Sequence, residues 1–210
     1  MTLRIVRTNP KGRTALIYID DKCVGTLPLR VLPPFCAPQN SCQISSEQAA
    51  QIMDLLSSHA RQLLLDYLAK AEHSQWQSRQ LLLRRRFDEA IIDQQINYAI
   101  QHSFIDDARY SEIYIRSWIN RGIGKRLLIS KLYEQRIDPT IWKPLLEVMY
   151  KEEDGSHKLE EQMQSYIARQ KEMPAQKLKE KVFGYFIRKG YDLDEVMRAW
   201  LATQAGNIGQ

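Results

Sequence analysis

Hydrophobic positions change their period along this chain. Up to Leu27 they fall in short runs rich in Ile, Val and Thr, namely Leu3 to Thr8, Thr14 to Ile19 and Cys23 to Leu27. The runs are separated by the turn-forming clusters Asn9-Pro10-Lys11-Gly12 and Asp20-Asp21-Lys22. That pattern predicts a small three-stranded antiparallel meander, too slight to be stable alone and so packed on the first helices. Pro28, Pro33, Pro34 and Pro38 predict a linker that breaks regular structure. From Ser45 the period becomes helical, and Ser45 with Gln48 fits a capping box that opens the helical part.

The segment from Ser103 to Leu132 is the richest in signals. Asp106 or Asp107 can accept the free amides that open a helix and suits the positive end of its dipole, while Ile105 can staple onto Tyr110. Tyr110, Ile113, Tyr114, Ser117 and Trp118 recur at helical spacing and predict a buried stripe, with Glu112 and Arg116 facing outward as an i,i+4 pair. Gly122 and Gly124 are expected to end that helix and permit a turn with φ > 0. Beyond Lys125, Leu128, Ile129, Leu132 and Tyr133 predict a second buried stripe, leaving Arg126, Ser130, Lys131 and Glu134 on the other side. The result is a helical hairpin with basic residues around its corner.

The layout recurs at a spacing of about 50 residues, a period that signals repeated supersecondary units. Leu82, Arg86, Phe87, Asp88 and Ile91 fall on Leu132, Arg136, Ile137, Asp138 and Ile141; Phe186, Gly190, Tyr191 and Asp192 make a weaker third copy. Each copy reads as three helices: one ending near Glu72, Arg121 or Lys171, a basic middle helix, and a third capped by Asp88, Asp138 or Asp192. Pro139 takes a first helical position, where its missing amide costs nothing. The expectation is a mainly α protein, an elongated array of three tandem three-helix repeats preceded by the β meander. Its expected divisions are 1–44 for meander and linker, 45–102 for the first repeat with its lead-in helix, 103–151 for the second and 152–210 for the third.

Composition narrows the function classes. The 210 residues are 44% hydrophobic, enough for a core within each repeat. No apolar run approaches the ~18 residues of a membrane span, and Met1 opens no signal-peptide pattern, so a cytoplasmic protein with no membrane partner is expected. Cys23, Cys36 and Cys42 are odd in number and lack zinc-site spacing, which suits reduced thiols. A monomer is expected, since no heptad seam or isolated apolar stripe asks for a second copy.

Charge points to a partner. The net charge is +5. Arg79, Arg84, Arg85 and Arg86 lie along one middle helix; Arg116, Arg121, Lys125, Arg126 and Lys131 surround the second corner; Lys177, Lys179, Lys181, Arg188 and Lys189 lie on the third copy. A basic stripe repeated along a helical body suits a polyanion, either a nucleic-acid backbone or an acidic protein groove. Catalysis is not indicated. Gly124-Lys125 lacks the upstream glycine and following Ser or Thr of a phosphate-binding loop, and Asp106 and Asp107 point apart at a helix start. His59, His73, His102 and His157 have no i,i+4 ligand partner, so neither metal nor cofactor is expected. His73-Ser74 reads as a helix junction with Ser74 as cap, because nothing third orients the histidine. Trp76, Trp118, Trp142 and Trp200 sit near core positions, as do Phe104, Tyr110 and Tyr114; only Trp76 reads as a candidate for the outside, and it too is expected to pack.

These residues also carry a family resemblance. His73, Ser74, Arg79 and Leu82, followed by Phe104, Asp106, Asp107, Arg109, Tyr110, Ser117, Arg121, Gly122, Gly124, Leu132 and Ile137, are similar to the RecX family of bacterial proteins that act on the RecA recombinase filament. The likeness runs from about Ile44 to the C-terminus, strong in the first two repeats and loose in the third. The chain departs from the family's usual Glu-Leu-Arg-x-Lys-Leu at Gln77 to Leu82, losing a charge pair and a core leucine, and Lys125 stands where a proline or serine is common. The resemblance implies a non-enzymatic regulator that binds the RecA filament on single-stranded DNA. It would lower ATP hydrolysis, strand exchange and filament growth, and so temper recombination, DNA repair and the SOS response. Arg79, Arg84, Arg85, Arg116, Arg121, Lys125, Arg126 and Lys131 are the candidate RecA- or DNA-facing cations; His73, Ser74, Asp106, Asp107, Arg109, Gly122 and Gly124 are the structural motif. The alternative is a direct, non-specific nucleic-acid-binding protein whose helix hairpins dock on phosphates.

Overall fold

In a computed structural model, residues 1–9, 11–36, 41–152 and 155–208 are described. The chain forms two compact units, Met1–Asp106 and Asp107–Gln210.

In the first unit the alternating runs become β1 (Thr2–Arg7), β2 (Thr14–Ile19) and β3 (Lys22–Pro28), paired antiparallel in sequence order. Leu3, Ile5, Ala15 and Ile17 share one pleat face and are buried; on the opposite face the Arg4 guanidinium lies 4.4 Å over the Tyr18 ring. The expected three-stranded meander gains a fourth strand, β4 (Ser41–Gln43), on the free edge of β1, giving the order β3-β2-β1-β4. Ser41-Cys42-Gln43 has no alternation of its own and becomes a strand only because the β1 edge offers unpaired amides and carbonyls. The proline-rich linker includes a 3₁₀ turn at Leu29–Val31, and Pro38 lies outside the described residues.

Helix α1 (Ser46–Leu68) opens on the capping box: the Gln48 amide donates to Ser45 Oγ (3.1 Å), and the Ser45 amide to Gln48 Oε1 (2.9 Å). Ile52, Leu56, Ala60 and Leu64 form its buried row at i,i+4 spacing. A second capping box, Ser74 with Gln77, opens α2 (Gln75–Arg84), and α3 (Glu89–Gln101) follows. The sheet shares a single core with these helices, in which Leu3, Ile17 and Leu27 meet Leu56, Leu82, Phe87 and Ile92. β3 also grips the chain after α2. The Asp88 amide donates to the Val24 carbonyl (3.1 Å), the Thr26 hydroxyl to the Arg85 carbonyl (2.7 Å), and Lys22 pairs with the Asp88 carboxylate.

The second unit contains α4 (Asp107–Asn120), α5 (Lys125–Glu134), α6 (Pro139–Glu152), α7 (Gly155–Ala168), α8 (Ala175–Arg188) and α9 (Leu193–Ile208). One core gathers Tyr110, Ile115, Leu128, Leu132 and Trp142, and another gathers Leu159, Met163, Val182, Phe186 and Trp200. The sequence register is visible in the backbone: Arg86, Arg136 and Gly190 each stand two residues past a middle helix and take φ of 62°, 53° and 91°. This left-handed residue ends the helix, and an aspartate then opens the next one. Asp88 Oδ1 accepts from the Ala90 amide (3.0 Å) and Asp138 Oδ1 from the Thr140 amide (2.9 Å). In the third copy the Asp192 amide donates to Glu195 Oε2 (2.8 Å) instead.

Four expectations on and around the α4–α5 hairpin are corrected. The buried row of α4 is Tyr110, Ser111, Ile115 and Ile119, with Tyr114 and Trp118 half-buried, while Ile113 and Ser117 are exposed. The row follows i,i+4 positions because α4 packs against α6, which rotates the stripe away from Ile113. Phe104 is 43% exposed rather than core, because it follows the left-handed Ser103 that turns the chain after α3. Tyr133 is also exposed, lying edge-on against buried Trp142 at 5.1 Å. Of the two glycines only Gly122 has positive φ (65°); Gly124 is the extended N-cap of α5, with φ −71°.

Gly124 answers a different constraint. Its amide donates to the Lys189 carbonyl (2.9 Å) and the Arg126 amide donates to the Gly190 carbonyl (3.1 Å), so two stretches of main chain lie against each other. A β-carbon on Gly124 would overlap the Gly190 carbonyl and the Tyr191 amide, and one on Gly190 would overlap the Leu127 backbone. At Gly122 the obstacle is only the tip of the Gln162 side chain. Gly122→Ala is therefore expected to cost about 1 kcal/mol from its left-handed backbone. Gly124→Ala should cost more, about 2–3 kcal/mol, because main chain cannot swing aside. Urea unfolding of both variants checks the order; a Gly124→Ala protein as stable as Gly122→Ala contradicts it. Ser78 is fully buried with no hydrogen-bond partner for its hydroxyl among the described residues, at the position where the sequence lacks its expected leucine. Ser78→Ala should leave the melting temperature unchanged or raise it by the equivalent of about 1 kcal/mol, since it removes an unpaired buried hydroxyl. A lower melting temperature contradicts this.

Candidate functional site

The eight candidate cations differ in how their charge is used. In the first unit Arg79 pairs with Asp93, whereas Arg84 and Arg85 stand exposed at the end of α2. Arg85, together with Arg30, holds the half-buried His59 below the usual imidazole range, although burial is the larger cause. In the second unit Arg116 pairs with Glu112 (2.9 Å), Lys125 with Glu147 (2.6 Å) and Arg126 with Asp192 (3.6 Å). The Lys125 ammonium holds the Glu147 carboxyl below its ordinary range. These exposed pairs contribute little stability, but each neutralises a cation that the sequence alone leaves open.

Arg121 and Lys131 are used differently. Both lie over the Trp118 ring, the guanidinium 4.7 Å and the ammonium 4.6 Å from its centre, and among the described residues neither pairs with a carboxylate. Helix α4 supplies Trp118, the turn after it supplies Arg121, and α5 supplies Lys131 from the side expected to face away. The indole fixes both cations without cancelling their charge, since its quadrupole attracts a cation while carrying no net charge. Behind it Tyr114 meets Trp118 edge-on at 6.0 Å and stacks on Tyr110 at 5.6 Å, so the platform is braced. Trp118 is the residue of the candidate site that sequence reasoning missed. Its helical spacing assigns it to the core, and the cations three residues later and on the next helix were the available signal. Trp76, the candidate for the outside that was nevertheless expected to pack, is half-buried, and Trp142 and Trp200 are core.

The turn that carries Arg121 is seated by the third copy. Gln162 of α7 fills the space beside Gly122, accepts from Lys189 Nζ (2.8 Å) and hydrogen-bonds Tyr191. Burial pushes the Tyr191 phenol up to about 12, and burial likewise raises that of Tyr150. These neutral phenols pack the joint without adding charge to it. The motif residues serve structure: His73 stacks on Tyr67 at 3.6 Å and faces Gln77 Oε1 at 3.2 Å, Ser74 caps α2, and Asp106 and Asp107 lie at the start of α4 with Arg109 on its first turn. Among the described residues no three His, Cys, Asp or Glu side chains cluster so as to hold a metal ion, and no helix is long and apolar enough to cross a membrane.

No family model matches the chain. It is 27% identical over 82 residues to the regulatory protein RecX of Vibrio campbellii, covering 39% of this chain and 53% of that protein. It is 28% identical over 138 residues to the regulatory protein RecX of Staphylococcus haemolyticus, covering 65% and 51%. For the regulatory protein RecX of Clostridium acetobutylicum the identity is 26% over 144 residues, covering 66% and 65%. The chain thus spans about half the length of the first of these relatives. Among solved structures, RecX from Lactobacillus salivarius superimposes with a TM-score of 0.64 at 20% identity, over 71% of this chain and 97% of that one. A second, a regulatory protein RecX, gives 0.63 at 19% identity over 92% and 96%. The chain thus shares the fold of solved RecX structures and, over part of its length, is similar in sequence to regulatory proteins RecX, with the motif residues placed at helix starts and turns.

Proposed function

We propose that this protein is a regulator of the RecA recombinase that binds the RecA filament on single-stranded DNA and lowers its ATP hydrolysis, strand exchange and growth. The reading rests on the family's description as regulatory proteins and on one observation in this chain: Arg121 and Lys131 are held on Trp118 with their charge uncancelled. Such a fixed cation pair matches an acidic or phosphate-bearing groove and costs little side-chain entropy on binding. Regulation then follows from differential affinity. A protein that binds one filament state or end more tightly shifts the equilibrium toward it by that difference, about 1.4 kcal/mol for each tenfold preference. No step of this action requires chemistry by the protein itself.

The allocation of charge gives a sharp test. Arg121→Ala with Lys131→Ala should weaken co-sedimentation with RecA–single-stranded DNA filaments about tenfold or more, the scale of removing charge-assisted hydrogen bonds from an interface. Lys125→Ala, whose charge Glu147 already neutralises, should change it less than about twofold. Equal losses from the two proteins, or no loss from the double variant, would remove the Trp118 platform from the binding surface.

A further inference from the structure

A second cluster of cations and rings lies one copy further along the same unit, on residues outside the candidate set above. Between α7 and α8 a cavity of about 160 Å³ is lined by Gln162, Ser165, Tyr166, Arg169, Tyr185 and Lys189, with Phe186 at its base. Tyr166 and Tyr185 stack at 4.3 Å with 19° between their planes, and Lys189 lies 5.4 Å over the Tyr185 ring. Arg169 donates to the Ser165 hydroxyl (3.0 Å) and Lys189 to Gln162 Oε1 (2.8 Å). Both cations are therefore positioned by neutral groups, and among the described residues neither has a carboxylate partner.

The placement repeats that of the Trp118 platform. Tyr166 stands two residues before the end of α7 as Trp118 stands two before the end of α4, and Arg169 follows α7 as Arg121 follows α4. Gln162 links the two, since it lines the cavity and fills the space beside Gly122, the residue after Arg121. Two full positive charges at one small cavity suit a phosphate group, which takes several charge-assisted hydrogen bonds at once. The paired phenol rings beside it suit a base, and an acidic protein side chain has no use for them.

We propose that the α7–α8 cavity is a nucleotide-phosphate site: Arg169 and Lys189 hold the phosphate, Ser165 and Gln162 orient them, and the Tyr166–Tyr185 pair receives the attached base. The phosphate can belong to a single strand or to a free nucleotide. The proposal goes beyond the RecA reading, is measured with no RecA present, and stands or falls without it.

The test is fluorescence anisotropy of the full-length protein with labelled oligothymidylate across a salt series, with the melting temperature of each variant recorded alongside. Arg169→Ala with Lys189→Ala should weaken binding about tenfold and lower the slope of log affinity against log salt by about 0.7 for each phosphate that is no longer neutralised. Arg169→Ala alone, which disturbs only a hydrogen bond to exposed Ser165, keeps the test valid if the double variant melts early. Lys177→Ala with Lys181→Ala removes the same charge from exposed positions on α8 and should change affinity less than about twofold. Tyr185→Leu should weaken binding while leaving the salt slope unchanged, because it removes a ring and no charge. Thymidine monophosphate added as competitor identifies the source: displacement means that the site takes free nucleotides, and no displacement means that it takes a phosphate within a strand. Equal losses from the two doubly substituted proteins, no loss from either, or displacement by oligoglutamate of equal charge as effective as by unlabelled oligothymidylate would overturn the proposal.

Discussion

The arrangement of the second unit depends on two glycines meeting without side chains. The Gly124 and Gly190 main chains come so close that the amides of Gly124 and Arg126 donate to the carbonyls of Lys189 and Gly190, tying the start of α5 to the corner that precedes α9. Gln162 sits beside the same joint, filling the space next to Gly122 in the turn that carries Arg121 and accepting from Lys189. A methyl group at either glycine would have to push main chain, which is stiff, and the two cation clusters would lose their common support. The N-terminal sheet treats the first corner in a comparable way. There β3 supplies the main-chain acceptor, Val24, that meets the Asp88 amide, and Thr26 and Lys22 add side-chain interactions. The first corner is held through its Asp88 amide, which donates to Val24, and the corner at Gly190 through its carbonyls, which accept from Gly124 and Arg126.

Charge is divided between two uses. Carboxylates neutralise Arg79, Arg116, Lys125 and Arg126, so the basic stripe in the sequence overstates what a polyanion would meet. Aromatic rings and neutral amides hold Arg121, Lys131 and Lys189, and a serine hydroxyl holds Arg169. Cations fixed in this second way keep their charge and lose little freedom when a partner arrives. A modulator needs that property more than raw charge, because it acts only through the difference between its affinities for two states of the partner.

Much of the fold was legible in the sequence because its signals are local. The capping boxes at Ser45 and Ser74, the aspartates before α3 and α6, and the spacing that aligned Arg86, Arg136 and Gly190 each reflect chemistry within a few residues. Features that need a distant partner were not legible. β4 exists because β1 has an open edge, the buried row of α4 rotates because α6 lies against it, and Gly124 is required by a residue far along the chain, Gly190. The site divides in the same manner. Sequence located the cations around the second corner, but which of them keep their charge depends on carboxylates and rings brought in by tertiary packing. Trp118 shows this best, since a tryptophan at core spacing and one bearing two cations read alike until the neighbouring helix is in place.

The measurement that bears most directly on the central claim is ATP hydrolysis by RecA on single-stranded DNA, titrated with this protein from far below stoichiometric amounts. Action on one filament state or end predicts strong inhibition while the protein is still a small fraction of the RecA present. Inhibition that appears only when the protein is abundant enough to coat the DNA, or none at any ratio, would contradict it.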